Sequence, residues 1–167
     1  EELVIPVQAG SSHGWPYCYT PVSGLNSPTQ SEVRDTRMAL PVGFTCAMAV
    51  PALFTGPAHA APIGLALGGG AGWPSEYQDD LYIALHGSWN TNNPANYRDC
   101  KVERVLIQGG QVVGSVDFAN GWRPAGGKCG DAAAYGRPAD VEVNPQGEMF
   151  ISDDKGNRIY RVVYVGQ

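Results

Sequence analysis

The stretch CKVERVLIQGGQVVGSVDF, Cys100–Phe118, reads as two β-strands folded back on each other. Short runs rich in β-branched residues flank Gly109-Gly110, and a two-glycine link suits a tight hairpin turn that needs positive φ. The same pattern continues in both directions. Strands are expected at Ile63–Leu67, Asp80–Leu85, Cys100–Ile107 and Gln111–Phe118, then at Ala139–Asn144, Glu148–Asp153 and Arg158–Val165. The turns NPQG, Asn144–Gly147, and DKGN, Asp154–Asn157, separate the last three strands. Helix-period segments of ten or more residues are almost absent, so the fold class is all-β.

Composition supports a globular chain with many tight turns. Of 167 residues, 43% are hydrophobic and only 16% charged, while Gly 22 and Pro 13 are spread along the chain rather than gathered in one linker. A net charge of -5 without any run of Lys or Arg argues against a nucleic-acid or anionic membrane partner. No apolar run approaches the roughly 20 residues of a membrane span, because Pro41, Gly43, Pro51, Gly56 and Pro57 interrupt the most apolar region. The opening EELVIPV lacks an initiator Met and reads as a processed product or a fragment.

Cys18, Cys46, Cys100 and Cys129 show no CxxC spacing and no paired His, which argues against zinc. Two disulfides are the reading preferred here, in one of three connectivities. Pairing sequence neighbours, Cys18 with Cys46 and Cys100 with Cys129, would staple two long loops. Disulfides imply an oxidising compartment, secreted or periplasmic. Four reduced, buried thiols are the alternative.

The strands fall into a group of four and a group of three, separated by the long loop ANGWRPAGGKCGDAAAYG. Strands grouped in fours with short hairpins and longer links between groups are the pattern of β-propeller blades, at roughly 40–45 residues each. This chain has room for about three of them. It is read as a single partial domain over 1–167, with an exposed loop at 23–42 and an inter-blade loop at 119–135. A longer parent chain or a homodimer would complete the ring, since an open blade edge is normally covered.

Four motifs in sequence order carry a resemblance over nearly the whole chain. They are GWPYCY (Gly14–Tyr19), HAAPIGL (His59–Leu65), PSEYQDDLYIALHGSWN (Pro74–Asn90) and GRPADVEVNPQGEMFISDDKGNRIYRV (Gly136–Val162). In order and spacing the chain resembles the C-terminal portion of the soluble PQQ-dependent sugar dehydrogenases, both the L-sorbosone dehydrogenase-like branch and the related glucose dehydrogenases. The resemblance implies four-stranded antiparallel propeller blades making about half of a six-bladed ring. It also implies PQQ over a central channel, a calcium ion, a small sugar as substrate and an external electron acceptor. In such enzymes hydride passes from the sugar C1 to the quinone with help from a base.

The resemblance nominates cofactor-binding residues one by one. Arg137 in GRPADV falls where the family has an Arg reaching the quinone, and a planar guanidinium suits the carboxylates of PQQ. A salt bridge to a neighbouring loop is its structural alternative. His59 falls beside the quinone site of the glucose dehydrogenases, although a His before a strand is commonly a packing residue. One of Asp153 and Asp154 matches a family Asp near the quinone, and Asp154 is the one nominated, against the alternative that paired acids at a strand end only shape a turn. His86, Ser88, Trp89 and Asn90 follow directly from a strand, and Trp89 offers a flat face to a planar ring. His13 is read as structural. The family's general base and calcium segment have no counterpart in this chain, so no catalytic residue and no metal ligand is assigned. Two further readings stand beside the dehydrogenase: a non-catalytic carbohydrate- or protein-binding propeller module, and a calcium-dependent lactonase-type hydrolase.

Overall fold

A computed structural model describes residues 2–4, 7–21, 32–69 and 72–166. It divides into two compact units, Glu1–Pro57 and Ala58–Gln167. No helix is long and apolar enough to cross a membrane among the described residues.

Among the described residues the first unit holds four very short strands: β1 (Glu2–Val4) pairs antiparallel with β4 (Phe54–Thr55), and β2 (Cys18–Tyr19) with β3 (Val33–Arg34). Two or three residues bury little surface, so a covalent staple takes over part of the work. Cys18 is joined to Cys46 across 28 residues. The buried Thr20 hydroxyl donates to Glu32 and accepts from the Ala52 backbone N–H at 2.9 Å, tying three segments together. The loop expected over 23–42 is corrected at Val33–Arg34, which pair with β2; residues 23–31 lie outside those described.

The second unit contains two antiparallel sheets. One runs β5 (Pro62–Leu67), β6 (Leu81–Leu85), β7 (Lys101–Gln108), β8 (Gln111–Ala119); the other runs β9 (Pro138–Val143), β10 (Met149–Asp153), β11 (Arg158–Val162). Neighbours in sequence are neighbours in the sheet, as short hairpin links require. Gly109 and Gly110 take φ of 57° and 76° in the β7–β8 hairpin, which only glycine does without steric cost. Strand ends shift by one to three residues from the sequence reading, the largest change being that β11 stops at Val162 rather than Val165.

Every residue of β6 is buried, so this strand is covered on both faces. Tyr82 and Ala84 join Trp73, Val102 and Trp122 in a core that also takes in Val141, Met149 and Ile151 of the other sheet. Phe118 of β8 meets the Tyr82 ring edge-on at 4.9 Å, and burial pushes the Tyr82 hydroxyl up to about 12 while it donates to the Tyr77 carbonyl. The sheets approach closely at Gly64 of β5. A Cβ there would stand 2.5 Å from the Asp140 Cα of β9, so only glycine allows the approach.

The two sheets share one register. In the first, Pro62, Leu85 and Lys101 lie in one cross-strand row and Leu67, Leu81 and Val105 in another. In the second, the corresponding rows are Pro138, Asp153, Arg158 and Val143, Met149, Val162. Strand for strand, the second sheet repeats the first, with no fourth strand beside β11 among the described residues.

Candidate functional site

The shared register brings two sheet ends side by side. His86 is the first residue after β6 and Asp154 the first after β10, and their side chains meet with Nε2 2.9 Å from Oδ1. The imidazole is mostly covered, while the carboxylate is 59% exposed. Burial acts to raise the Asp154 pKa, but the hydrogen bond and charge of His86, with a smaller pull from Arg137, hold the carboxyl below its usual range. When Nε2–H donates to Asp154, Nδ1 is left as an acceptor, the arrangement of a base oriented by an acid.

Arg137 reaches the same corner from the start of β9. Its Nε donates to the His86 carbonyl at 2.9 Å and its Nη2 to the Gly87 carbonyl at 3.0 Å. The salt bridge considered as its structural alternative does not form: among the described residues no carboxylate lies within ion-pair distance, and Nη1 donates to no protein acceptor. Partial burial lowers the Arg137 pKa, with Asp154 pulling the other way. A half-buried cation with an unspent pair of N–H groups suits an anionic oxygen.

His59 enters through its backbone. The His59, Ala60 and Ala61 carbonyls accept, in turn, from the Ser88 hydroxyl at 3.0 Å, Gly87 N–H at 2.9 Å and His86 N–H at 2.9 Å. His59 and Ala61 have φ of 71° and 51°, a left-handed backbone that non-glycine residues adopt at a cost and that this ladder holds in place. The turn 86–88 is thus gripped on one side by these carbonyls and on the other by Arg137.

The remaining nominated residues divide by exposure. Ser88 is 1% exposed; its hydroxyl lies 3.0 Å from the His59 carbonyl and 3.1 Å from the Asn96 carbonyl, and accepts from Arg98 N–H at 2.7 Å. It pins the loop rather than facing solvent. Trp89 is 62% exposed, and Asn90 is exposed beside it. Gly130 passes so close that a Cβ there would lie 2.8 Å from the Trp89 Cα, which fixes the Trp89 backbone while leaving its ring open.

Gly87 was not singled out from the sequence, and Asp153 was named there only beside Asp154. Asp153, 2% exposed, accepts from Arg137 N–H and Gly156 N–H, each at 2.7 Å, and from the Tyr160 hydroxyl at 3.0 Å. Its signal was present in the alternation Met149, Ile151, Asp153, which puts it on the buried face. Gly87, φ 76°, lies against the second disulfide, where a Cβ would be 2.5 Å from Cys129 Sγ. That disulfide, Cys100–Cys129, completes the neighbour pairing, one of the three connectivities open from the sequence. Asp99, Cys100 and Cys129 are the one gathering of three possible metal ligands among the described residues, and the disulfide removes both thiolates from it.

The fold and this corner define an all-β protein of repeated antiparallel sheets whose strand ends converge on a polar, cation-bearing site. The chain belongs to the TrAA12-like family, whose model matches residues 2–165. It is 33% identical over 115 residues to an uncharacterized protein of Borreliella burgdorferi, covering 69% of this chain and 29% of that one. Among solved structures it resembles an iodide structure of the Trichoderma reesei carbohydrate-active enzyme family AA12, with a TM-score of 0.62 at 17% identity, over 91% of this chain and 39% of that one. It also resembles the holo form of the PQQ domain of pyranose dehydrogenase from Coprinopsis cinerea, with a TM-score of 0.54 at 20% identity, over 89% and 39% respectively. The chain therefore spans well under half the length of each of these proteins.

Proposed function

We propose that this chain forms propeller blades of a PQQ-dependent oxidoreductase acting on a sugar of the aldose or sorbosone type, and contributes the C-terminal part of its cofactor site. The observation that carries the reading is the unpaired Arg137 guanidinium beside the His86–Asp154 couple, at the strand ends of a TrAA12-like chain. Membership of that family and likeness to a holo PQQ domain support it.

The donor set fits the quinone in part. PQQ, when bound, supplies the two-electron acceptor for hydride leaving a sugar C1. Arg137 would hold one of its carboxylates through Nη1 while Nε and Nη2 stay on the 86–88 turn, so binding needs no rearrangement of the loop. The open face of Trp89 would stack on a planar ring, with Asn90 at its rim. His86, oriented by Asp154, can hold or release a proton at Nδ1, and Ser88 and His59 keep the turn in register. Asp154 would disfavour a carboxylate placed beside it, which leaves Arg137 as the group that would hold a quinone carboxylate. For calcium, the ligand gathering around Asp99 does not fit, since its two sulfurs are bonded to each other, and no step is derived through that ion. The disulfides agree with a secreted or periplasmic setting.

Thermal unfolding of the protein with PQQ, alone and with calcium, tests the reading. A ligand that binds only the folded state raises the melting temperature as its concentration passes Kd. We expect a rise that Arg137→Lys reduces, because Lys lacks the fork that holds the turn and the ligand together. An aldose should then reduce an artificial dye. An unchanged melting temperature at saturating PQQ and calcium would reject the reading.

A further inference from the structure

The link from β8 into the Trp122 loop carries the one asparagine of the chain that is followed by glycine, Asn120–Gly121. An asparagine side chain is open to attack at Cγ by the backbone nitrogen of the next residue, and a side chain on that residue hinders the approach. Gly121 has none, its φ is 98°, and nothing lies within 4 Å of where a Cβ would stand. Both residues are exposed, and the Gly121 N–H donates to no acceptor among the described residues. The nucleophile is neither bonded nor covered. Asn144 shows the opposite arrangement. Its Oδ1 accepts from the Gln146 and Glu148 N–H groups at 3.0 and 2.9 Å, its Nδ2 donates to Glu148, and Pro145 after it has no N–H. Asn157 is exposed in a turn like Asn120, but the bulky Arg158 follows it.

The surroundings give a change at this position somewhere to act. Hydrogen bonds from Lys101 and, more weakly, from the Asn120 amide hold the Asp117 carboxyl below its usual range. Two residues on, Trp122 is buried in the core, meets Tyr160 edge-on at 5.7 Å, and accepts through its carbonyl from Tyr135 N–H at 2.7 Å and Gly136 N–H at 3.2 Å. These two bonds seat the segment that leads into β9.

We propose that Asn120–Gly121 is a site of spontaneous deamidation, and that isoaspartate formed there loosens the bonds from Tyr135 and Gly136 to Trp122. The Gly121 nitrogen gives up its proton and bonds to Asn120 Cγ; the Cγ–Nδ2 bond breaks, a proton returns to the departing nitrogen, and ammonia leaves behind a five-membered succinimide. Water then opens the ring, with no change of oxidation state. Cleavage of the Cγ–N bond gives aspartate. Cleavage of the backbone C–N bond gives isoaspartate, in which the main chain runs through Cβ and Cγ and is longer by an atom. Either product sets a carboxylate against Asp117 where an amide donor stood, and isoaspartate also lengthens the link into Trp122. The inference does not depend on the cofactor reading, since every group in it lies outside the hydrogen bonds of the Arg137 guanidinium.

Incubation of the intact protein at mildly alkaline pH, where the attacking nitrogen loses its proton more readily, tests the proposal. Peptide mapping by mass spectrometry should show residue 120 undergoing the amide-to-acid change ahead of every other asparagine, with isoaspartate as the larger product. Hydrogen exchange of the incubated protein should show faster Tyr135 and Gly136 amides, while those of Val102 and Ile151 in the sheets stay as they were. Gly121→Ala should slow the conversion severalfold. Asn120→Gln keeps an amide donor but disfavours ring closure, so after the same incubation it should show neither change. Fresh Asn120→Asp, which has the charge on a chain of ordinary length, should exchange at 135–136 like the parent. Conversion at 120 no faster than at Asn144 and Asn157 overturns the site. Conversion with unchanged exchange at 135–136 overturns the coupling to Trp122, as does equally fast exchange in incubated Asn120→Gln or fresh Asn120→Asp.

Discussion

His86 and Asp154 stand 2.9 Å apart and hold the same place in two successive sheets, each being the first residue past the second strand. The coupling has a pH consequence. Asp154 is held below its ordinary value of 3.8, so its contribution to stability is fully present above that value and is lost as pH falls through the lower folded value. In His86→Ala the carboxyl should return toward 3.8, which a carbon-detected NMR titration of Asp154 would record. The wild-type protein should then lose more stability than the variant below pH 3.8. Identical Asp154 titrations in the two proteins would contradict the coupling.

Asp153 is a buried carboxylate whose three donors come from Arg137, Gly156 and Tyr160. Asp153→Asn places an amide against donors and should cost ~2–4 kcal/mol in denaturant unfolding. Tyr160→Phe removes one donor and should cost about 1 kcal/mol. Because the Arg137 N–H is one of the three, Asp153→Asn should also weaken PQQ binding more than Tyr160→Phe does. Equal losses of stability from the two substitutions would show that the backbone donors contribute nothing.

Gly64 marks a close approach between the sheets, with the Asp140 Cα 2.5 Å from where a Cβ would sit. Gly64→Ala should destabilise by about 3 kcal/mol, the upper end of overpacking, because the obstacle is backbone rather than a movable side chain. Gly114 provides the contrast, since its nearest obstacle is a Leu106 methyl at 3.8 Å. Gly114→Ala should stay within about 0.5 kcal/mol of the parent. Urea midpoints for the pair decide the matter.

The Cys100–Cys129 bond closes 29 residues of separation, for which loop entropy gives ~3.5 kcal/mol. Replacing both cysteines by alanine should lower stability by about that amount. The loss should be accompanied by faster exchange of the Gly87 amide, whose neighbour the disulfide is. A loss under about 1 kcal/mol would mean that the loop is already ordered without the bond.

The seven strands of the second unit were legible because each is a run long enough to show β-branched enrichment between turn residues. Their ends were not. Residues 163–165 continue the apolar pattern of β11 but pair with no strand among the described residues, and pairing rather than propensity ends the strand. The two-residue strands of the first unit carry no period at all, so nothing in Val33–Arg34 distinguished a strand from a loop. At the site, Arg137, His86 and Asp154 were nominated together through a resemblance, and they do converge. Ser88 was nominated for the cofactor with His86, Trp89 and Asn90, yet it is buried, because the carbonyls of a covered loop need a donor and a hydroxyl is a compact one. The roles of Asp153 and of the left-handed His59 depend on tertiary partners far along the chain, which local sequence does not name.

The common register of the two sheets makes the corner modular. Each sheet aims the residue after its second strand at one spot, and the strand before it is held by packing that does not involve that residue. A basic group from one repeat and an acid from the next therefore compose a couple that either repeat can alter alone, so the chemistry at the spot can be rewritten one position at a time while the scaffold stays as it is.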